Sequence, residues 1–100
     1  MRNYEICYLP IAEGDLNEII DYLSEHSINA ANAFIDELEG LEERLSMFPE
    51  SAPLLKDKKL QSKGYRMVVI GGYLLFYILR NENIYVMRII HGKRKYLSML

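Results

Sequence analysis

The stretch from Gly64 to Tyr96, GYRMVVIGGYLLFYILRNENIYVMRIIHGKRKY, leaves few folds open. Three runs rich in β-branched and aromatic residues, Tyr65–Ile70, Tyr73–Leu79 and Ile84–Ile90, are separated by turn signals. Gly71-Gly72 offers the positive φ angles of a tight hairpin turn, and Arg80-Asn81-Glu82-Asn83 is a polar second turn. The spacing predicts an antiparallel three-stranded meander. Its middle run is apolar on both faces, as a central strand should be. Arg88 interrupts an otherwise apolar third run, and Arg66, Lys93, Arg94 and Lys95 lie within or just after the meander. A chemical site is therefore expected on or beside this sheet.

The N-terminal half reads differently. Tyr4–Leu9 is a short strand ended by Pro10. Gly14-Asp15, or a point one turn earlier near Ile11, opens a helix whose apolar stripe is Leu16, Ile19, Ile20 and Leu23. His26–Asn29 breaks the pattern, with Ser27 or Asn29 as the next N-cap. A second helix follows from about Ala30 to Met47, with the stripe Ala31, Phe34, Leu38, Leu41, Leu45 and Phe48, and Pro49 stops it. Gly40 inside it costs about 1 kcal/mol of helix propensity, which a close approach of the two helices would explain. Glu50–Gly64, with Pro53 and four lysines, reads as a solvated connector too polar for core. The order strand, helix, helix, three strands gives a one-domain α+β, two-layer arrangement. The helices form a hairpin over one face of the sheet, and the other face is left partly open for a partner helix or strand.

A net charge of -2 conceals a segregation. Residues 1–50 carry twelve acidic side chains against two basic ones, Arg2 and Arg44, whereas residues 51–100 carry ten basic side chains against Asp57 and Glu82. Such asymmetry points to a basic face that binds phosphates or an acidic partner, because neutralising that many charges inside a fold is costly. No apolar run is long enough to span a membrane, and the N-terminus lacks the apolar core of a signal peptide. With Cys7 as the one cysteine, the chain is expected to be cytoplasmic and free of internal disulfides.

Phosphate-loop, dinucleotide-fingerprint and zinc-type spacings are absent, so neither a metal nor a cofactor is expected. What remains is a set of basic and aromatic residues near strand ends: Lys58, Lys59, Arg66, Arg88, His91, Lys93, Arg94 and Tyr96. Such a set suits RNA cleavage without metal. A base would take the 2′-hydroxyl proton, cations would hold the phosphate, and an acid would protonate the leaving oxygen. Arginine binds two phosphate oxygens at once, and His91 titrates near neutrality. Each residue also has a structural alternative: His91 as a cap of its strand end, Arg88 paired with a carboxylate, Arg66 paired with the acidic helices, and Tyr96 folded back on the core.

Taken together, the order and spacing of LSMFPES (Leu45–Ser51), GYRMVV (Gly64–Val69), GGYLLFYIL (Gly71–Leu79) and IYVMRIIHGKR (Ile84–Arg94) resemble the RelE/ParE superfamily of bacterial toxins. The resemblance covers nearly the whole chain. It implies the same fold, a growth inhibitor of a type II toxin–antitoxin module, and a cognate antitoxin that wraps it. Operator DNA would be reached only through that complex. RelE-like members cut messenger RNA on the ribosome, and ParE-like members poison DNA gyrase. Arg66, Arg94 and Lys59 match basic residues of the RelE-like set. Asp57 stands where that set has a lysine and Leu100 where it has a tyrosine, so His91 or Tyr96 would have to act as acid or base. GYLLFY and IIHGKRKY look more like the ParE side. The surviving basic set tilts the reading toward mRNA cleavage. Gyrase inhibition without catalysis, or a non-toxic binding module, are the alternatives.

Overall fold

The computed structural model describes residues 3–100; Met1 and Arg2 lie outside the described residues. Strand β1 (Glu5–Tyr8) leads into helices α1 (Pro10–His26) and α2 (Ile28–Met47). A short helix α3 (Lys58–Ser62) interrupts the connector, and strands β2 (Arg66–Ile70), β3 (Tyr73–Arg80) and β4 (Asn83–His91) form the meander. A single turn of 3₁₀ helix, Tyr96–Ser98, closes the chain.

Local chemistry sets these boundaries. Pro10 both ends β1 and occupies the first turn of α1, where its missing N–H costs nothing, so α1 begins ahead of Gly14. Ser27 caps α2 by accepting from the Ala30 amide at 3.2 Å. Asp57 does the same for α3, accepting from the Leu60 amide at 3.0 Å. Gly71 takes φ +57° in the first hairpin turn, and its amide donates to Glu37 of α2 at 3.2 Å. The second turn is Asn81-Glu82, both in the left-handed region, which matches the right-handed twist of the strands it joins.

The sheet order is β1-β4-β3-β2, with the meander antiparallel as expected. Beyond that expectation, β1 pairs parallel with β4, Glu5 to Tyr8 opposite Asn83 to Val86. The helical hairpin thus carries the chain from β1 at one edge of the sheet towards β2 at the other, and β4 returns through the meander to pair with β1. Hydrogen bonds from the Tyr4 amide to the Ser46 carbonyl (2.9 Å) and from the Ser46 hydroxyl to the Tyr4 carbonyl (2.7 Å) fasten the start of β1 to the end of α2.

The inner face of the sheet meets the two helices. Ile19, Phe34, Leu38, Leu41 and Leu45 pack on Leu75, Tyr77, Ile84, Val86 and Ile89, all less than 9 % exposed. Burial of each such side chain stabilises by about 1.5–3 kcal/mol relative to exposure.

Two expectations need correction, and a third holds in part. The outer face is open only in part: Leu55, Leu60 and Tyr65 of the connector and Tyr96, Met99 and Leu100 of the tail pack over Phe76 and Ile90, while Val69 of β2 stays 63 % exposed. The connector therefore supplies core, although its lysines are exposed as expected. No neighbouring atom lies within 4 Å of the point where a Cβ on Gly40 would sit, so close helix approach does not account for that glycine.

Candidate functional site

One irregularity in β4 shapes the region where the sequence placed its chemistry. Strict alternation from Ile84 and Val86 would aim Arg88 into the inner core. The register shifts between Phe76 and Tyr77, so Tyr77 faces Val86 while Phe76 faces Arg88, and Met87 is the extra residue. This bulge hands the inner position to Ile89 and re-aims Arg88.

β1 ends opposite Val86, so the last part of β4 has no strand on that side. Asp15 of α1 occupies the gap. Its carboxylate accepts from Arg88 Nε at 2.8 Å and Nη2 at 3.0 Å, and from the Ile89 amide at 3.0 Å. Arg88 also donates from Nη1 to the Met99 carbonyl at 3.2 Å, which ties in the tail. The Asp15 hydrogen bonds hold the Arg88 guanidinium above its ordinary pKa against the opposing effect of burial. Arg88 is thus fixed in a two-pronged ion pair joining α1, β4 and the tail.

Beside this pair lies an open cleft of about 420 Å³ between α1 and the end of β4. Asp15, Glu18 and Tyr22 line one wall, and Tyr73, His91 and Arg94 the other. Tyr73 is wedged edge-on between Phe34 and His91, with ring centroids 5.6 and 5.2 Å apart, and burial raises its phenol pKa. His91 Nδ1 accepts from the Lys93 amide at 3.2 Å, which leaves the neutral ring's proton on Nε2. His91 thus caps its strand end, with the ring itself at the surface.

The other candidate residues are dispersed. Arg66 starts β2 and donates from Nη1 to the carbonyls of Ala52 (2.6 Å) and Glu50 (3.4 Å). Next to it, the Tyr77 hydroxyl donates to the Pro49 carbonyl at 2.8 Å. Together they hold the turn that leaves α2. The pairing Arg66–Tyr77 lies four residues along β3 from Tyr73–His91, about 13 Å along the strand and two strands across. Tyr96 lies on the outer face, its ring 5.1 Å from that of Phe76. Lys58 and Lys59 are exposed on α3, and Lys93 is exposed in the turn after β4. Of the candidate set, then, His91 and Arg94 share the cleft with Arg88, while Arg66, Tyr96, Lys58 and Lys59 do not line it.

Sequence reasoning passed over Asp15, Glu18, Tyr22 and Tyr73. A usable signal existed: Asp15, Ile19 and Tyr22 fall at i, i+4 and i+7 on one face of α1, so an acid lines up with the apolar stripe. It matches the lone cation inside β4. Among the described residues, no group of three or more His, Cys, Asp or Glu is placed to hold a metal ion, and no helix is long and apolar enough to cross a membrane.

Comparison with solved structures shows the same fold. A chain of the chromosomal ParDE toxin–antitoxin system of P. aeruginosa superposes with a TM-score of 0.69 at 15 % identity, over 90 % of this chain and 97 % of that one. A chain of the RelBE2 toxin–antitoxin complex of Mycobacterium tuberculosis gives 0.61 at 20 % identity, over 89 % and 98 %. No curated protein sequence matches the chain. The sequence profile of the ParE toxin of the type II toxin–antitoxin system parDE matches residues 6–96. The fold and this match define a type II toxin of the RelE/ParE superfamily. Within it, the chain belongs to the ParE toxin family.

Proposed function

We propose that this toxin arrests growth by binding a protein target, which the family resemblance implies to be DNA gyrase, and not by cutting RNA. One observation carries the reading: the basic set that a nuclease would need does not converge. Arg66 spends its guanidinium on the Ala52 and Glu50 carbonyls at one end of the sheet. Arg94 and His91 line a cleft at the other end. Arg88 is engaged by Asp15, and Tyr96 packs on Phe76. General acid–base cleavage requires its groups within hydrogen-bond reach of one phosphate. This placement weighs against the mRNA cleavage that the sequence favoured. The similar chains from P. aeruginosa and M. tuberculosis are parts of toxin–antitoxin pairs, which supports a cognate antitoxin that masks this chain until it is removed.

Ribosome-dependent cleavage is the second reading. It draws on His91, Lys93 and Arg94, which stay together and exposed at the end of β4. Brief induction without the antitoxin, with pulse labelling of new DNA and new protein, separates the two. Gyrase inhibition predicts that DNA synthesis falls first, with an SOS response, and that messenger RNA stays intact with the parent and with the Arg94→Ala and His91→Ala variants alike. Protein synthesis falling first, with growth restored by Arg94→Ala, would overturn the proposal in favour of cleavage.

A further inference from the structure

The charges of this chain are sorted by layer, and we propose that the outer layer is a docking face for the phosphate backbone of duplex DNA. The connector and the tail both pack on the outer face of the sheet, burying Leu55, Leu60 and Tyr65 and half-burying Tyr96. Their polar neighbours are therefore left on the outside. Lys56, Lys58, Lys59, Lys63 and Lys95 are all exposed, with Lys93 following the end of β4. Among the described residues, none of these cations is held in an ion pair; the pair found is Arg88 with Asp15. Asp57, the one acid between Ser51 and Asn81, is committed to the Leu60 amide as the cap of α3.

The opposite layer has the reverse sign. From Glu13 to Glu43, the exposed surface of α1 and α2 is studded with carboxylates. A net charge of -2 thus hides a molecule with one cationic and one anionic side, and a polyanion would meet it in one orientation.

The form of the cationic face favours a duplex over a single strand. Single-strand binders add aromatic platforms on which bases stack. Here Tyr65, Phe76 and Tyr96 are turned into the outer core, so lysines stand without stacking partners and offer contacts to phosphates alone. The chain is broad and thin, 38 × 35 × 21 Å, and a face of that breadth matches about one turn of B-DNA, roughly 34–36 Å. The choice of DNA rests on the gyrase reading, whose target works on duplex DNA; the segregated face does not.

The test is fluorescence anisotropy of the purified chain with a labelled duplex of about two helical turns, titrated between about 50 and about 200 mM salt. Five lysines on phosphates predict a slope of log K against log salt of about -4.5. Replacing Lys56, Lys58, Lys59 and Lys63 together by Gln should weaken binding at least about tenfold and flatten the slope by about 3–4. Glutamine sustains helix α3, and far-UV circular dichroism of the variant checks the fold. Replacing the exposed Glu39 and Glu43 of α2 by Gln should leave the slope unchanged. Absence of salt-dependent binding overturns the proposal, as do a four-lysine variant that binds like the parent and tighter binding to single-stranded RNA of the same length. Gyrase supercoiling is assayed in parallel. Inhibition without DNA binding sinks this proposal alone, whereas DNA binding without inhibition upholds the face and sinks the gyrase reading.

Discussion

The two faces of the sheet are covered in different ways. The inner face is sealed by two long helices, each presenting a regular stripe, so the cover repeats every three to four residues. The outer face is covered in part by single residues, Leu55, Leu60 and Tyr65 from one segment and Tyr96, Met99 and Leu100 from another. Periodic cover announces itself in a sequence, and scattered cover does not. The difference also sets the surface: helices leave a broad acidic exterior, and the connector leaves lysines between its buried leucines.

Large-to-small substitutions on the two sides should expose this contrast. Leu45→Ala, at 2 % exposure in the inner core, should cost about 4 kcal/mol by urea unfolding, because helices and sheet collapse poorly around a void. Leu60→Ala, under the short α3, should cost about 2 kcal/mol, since a connector can settle into the space. Equal losses would mean that the outer cover is as rigid as the inner one.

The junction between the layers is the Asp15–Arg88 pair, with side chains 13 % and 17 % exposed. Asp15→Asn should destabilise by about 3 kcal/mol, because it leaves a partly buried guanidinium without its counter-charge. Adding Arg88→Met should recover much of that loss. A thermal melt of the single and double variants decides this, and additive losses would show that the pair is not coupled.

Alkaline pH probes the attachment of β1. Tyr8 donates to Glu42 at 2.6 Å, and burial, reinforced by that carboxylate, pushes its phenol pKa well up. In the unfolded chain tyrosine ionises near pH 10, at about its free value. The folded group stays protonated beyond that, so its contribution is complete below about pH 10 and is lost as the pH climbs further. Tyr8→Phe should cost about 1 kcal/mol at neutral pH from the lost hydrogen bond and make the alkaline decline shallower. An unchanged decline would assign it to Tyr73 and Tyr77, whose phenols burial also raises. The smallest effect is a gain: Gly40→Ala, with open space around the site, should stabilise α2 by about 0.5–1 kcal/mol.

The meander and the helical hairpin were legible because alternation and 3.6-residue periodicity write them directly. The parallel docking of β1 on β4 was not, since no local signal fixes which edge a lone strand joins. The bulge at Met87 was hidden for the same reason, and with it the aim of Arg88. Its pairing with a carboxylate was among the readings of the sequence, but not the identity of Asp15, 73 residues away. The basic residues were individually visible as candidates. Their failure to converge was not, because backbone carbonyls at Glu50 and Ala52, which engage Arg66, leave no trace in residue type.

The most direct test of the central claim puts the purified chain, free of antitoxin, against two purified targets. One is DNA gyrase with relaxed plasmid; the other is translating ribosomes with a defined message. Gyrase inhibition predicts loss of supercoiling, by the parent and by the His91→Ala/Arg94→Ala variant alike, and an intact message. Cleavage of the message at the ribosomal A site, abolished by that variant while gyrase runs normally, would contradict it.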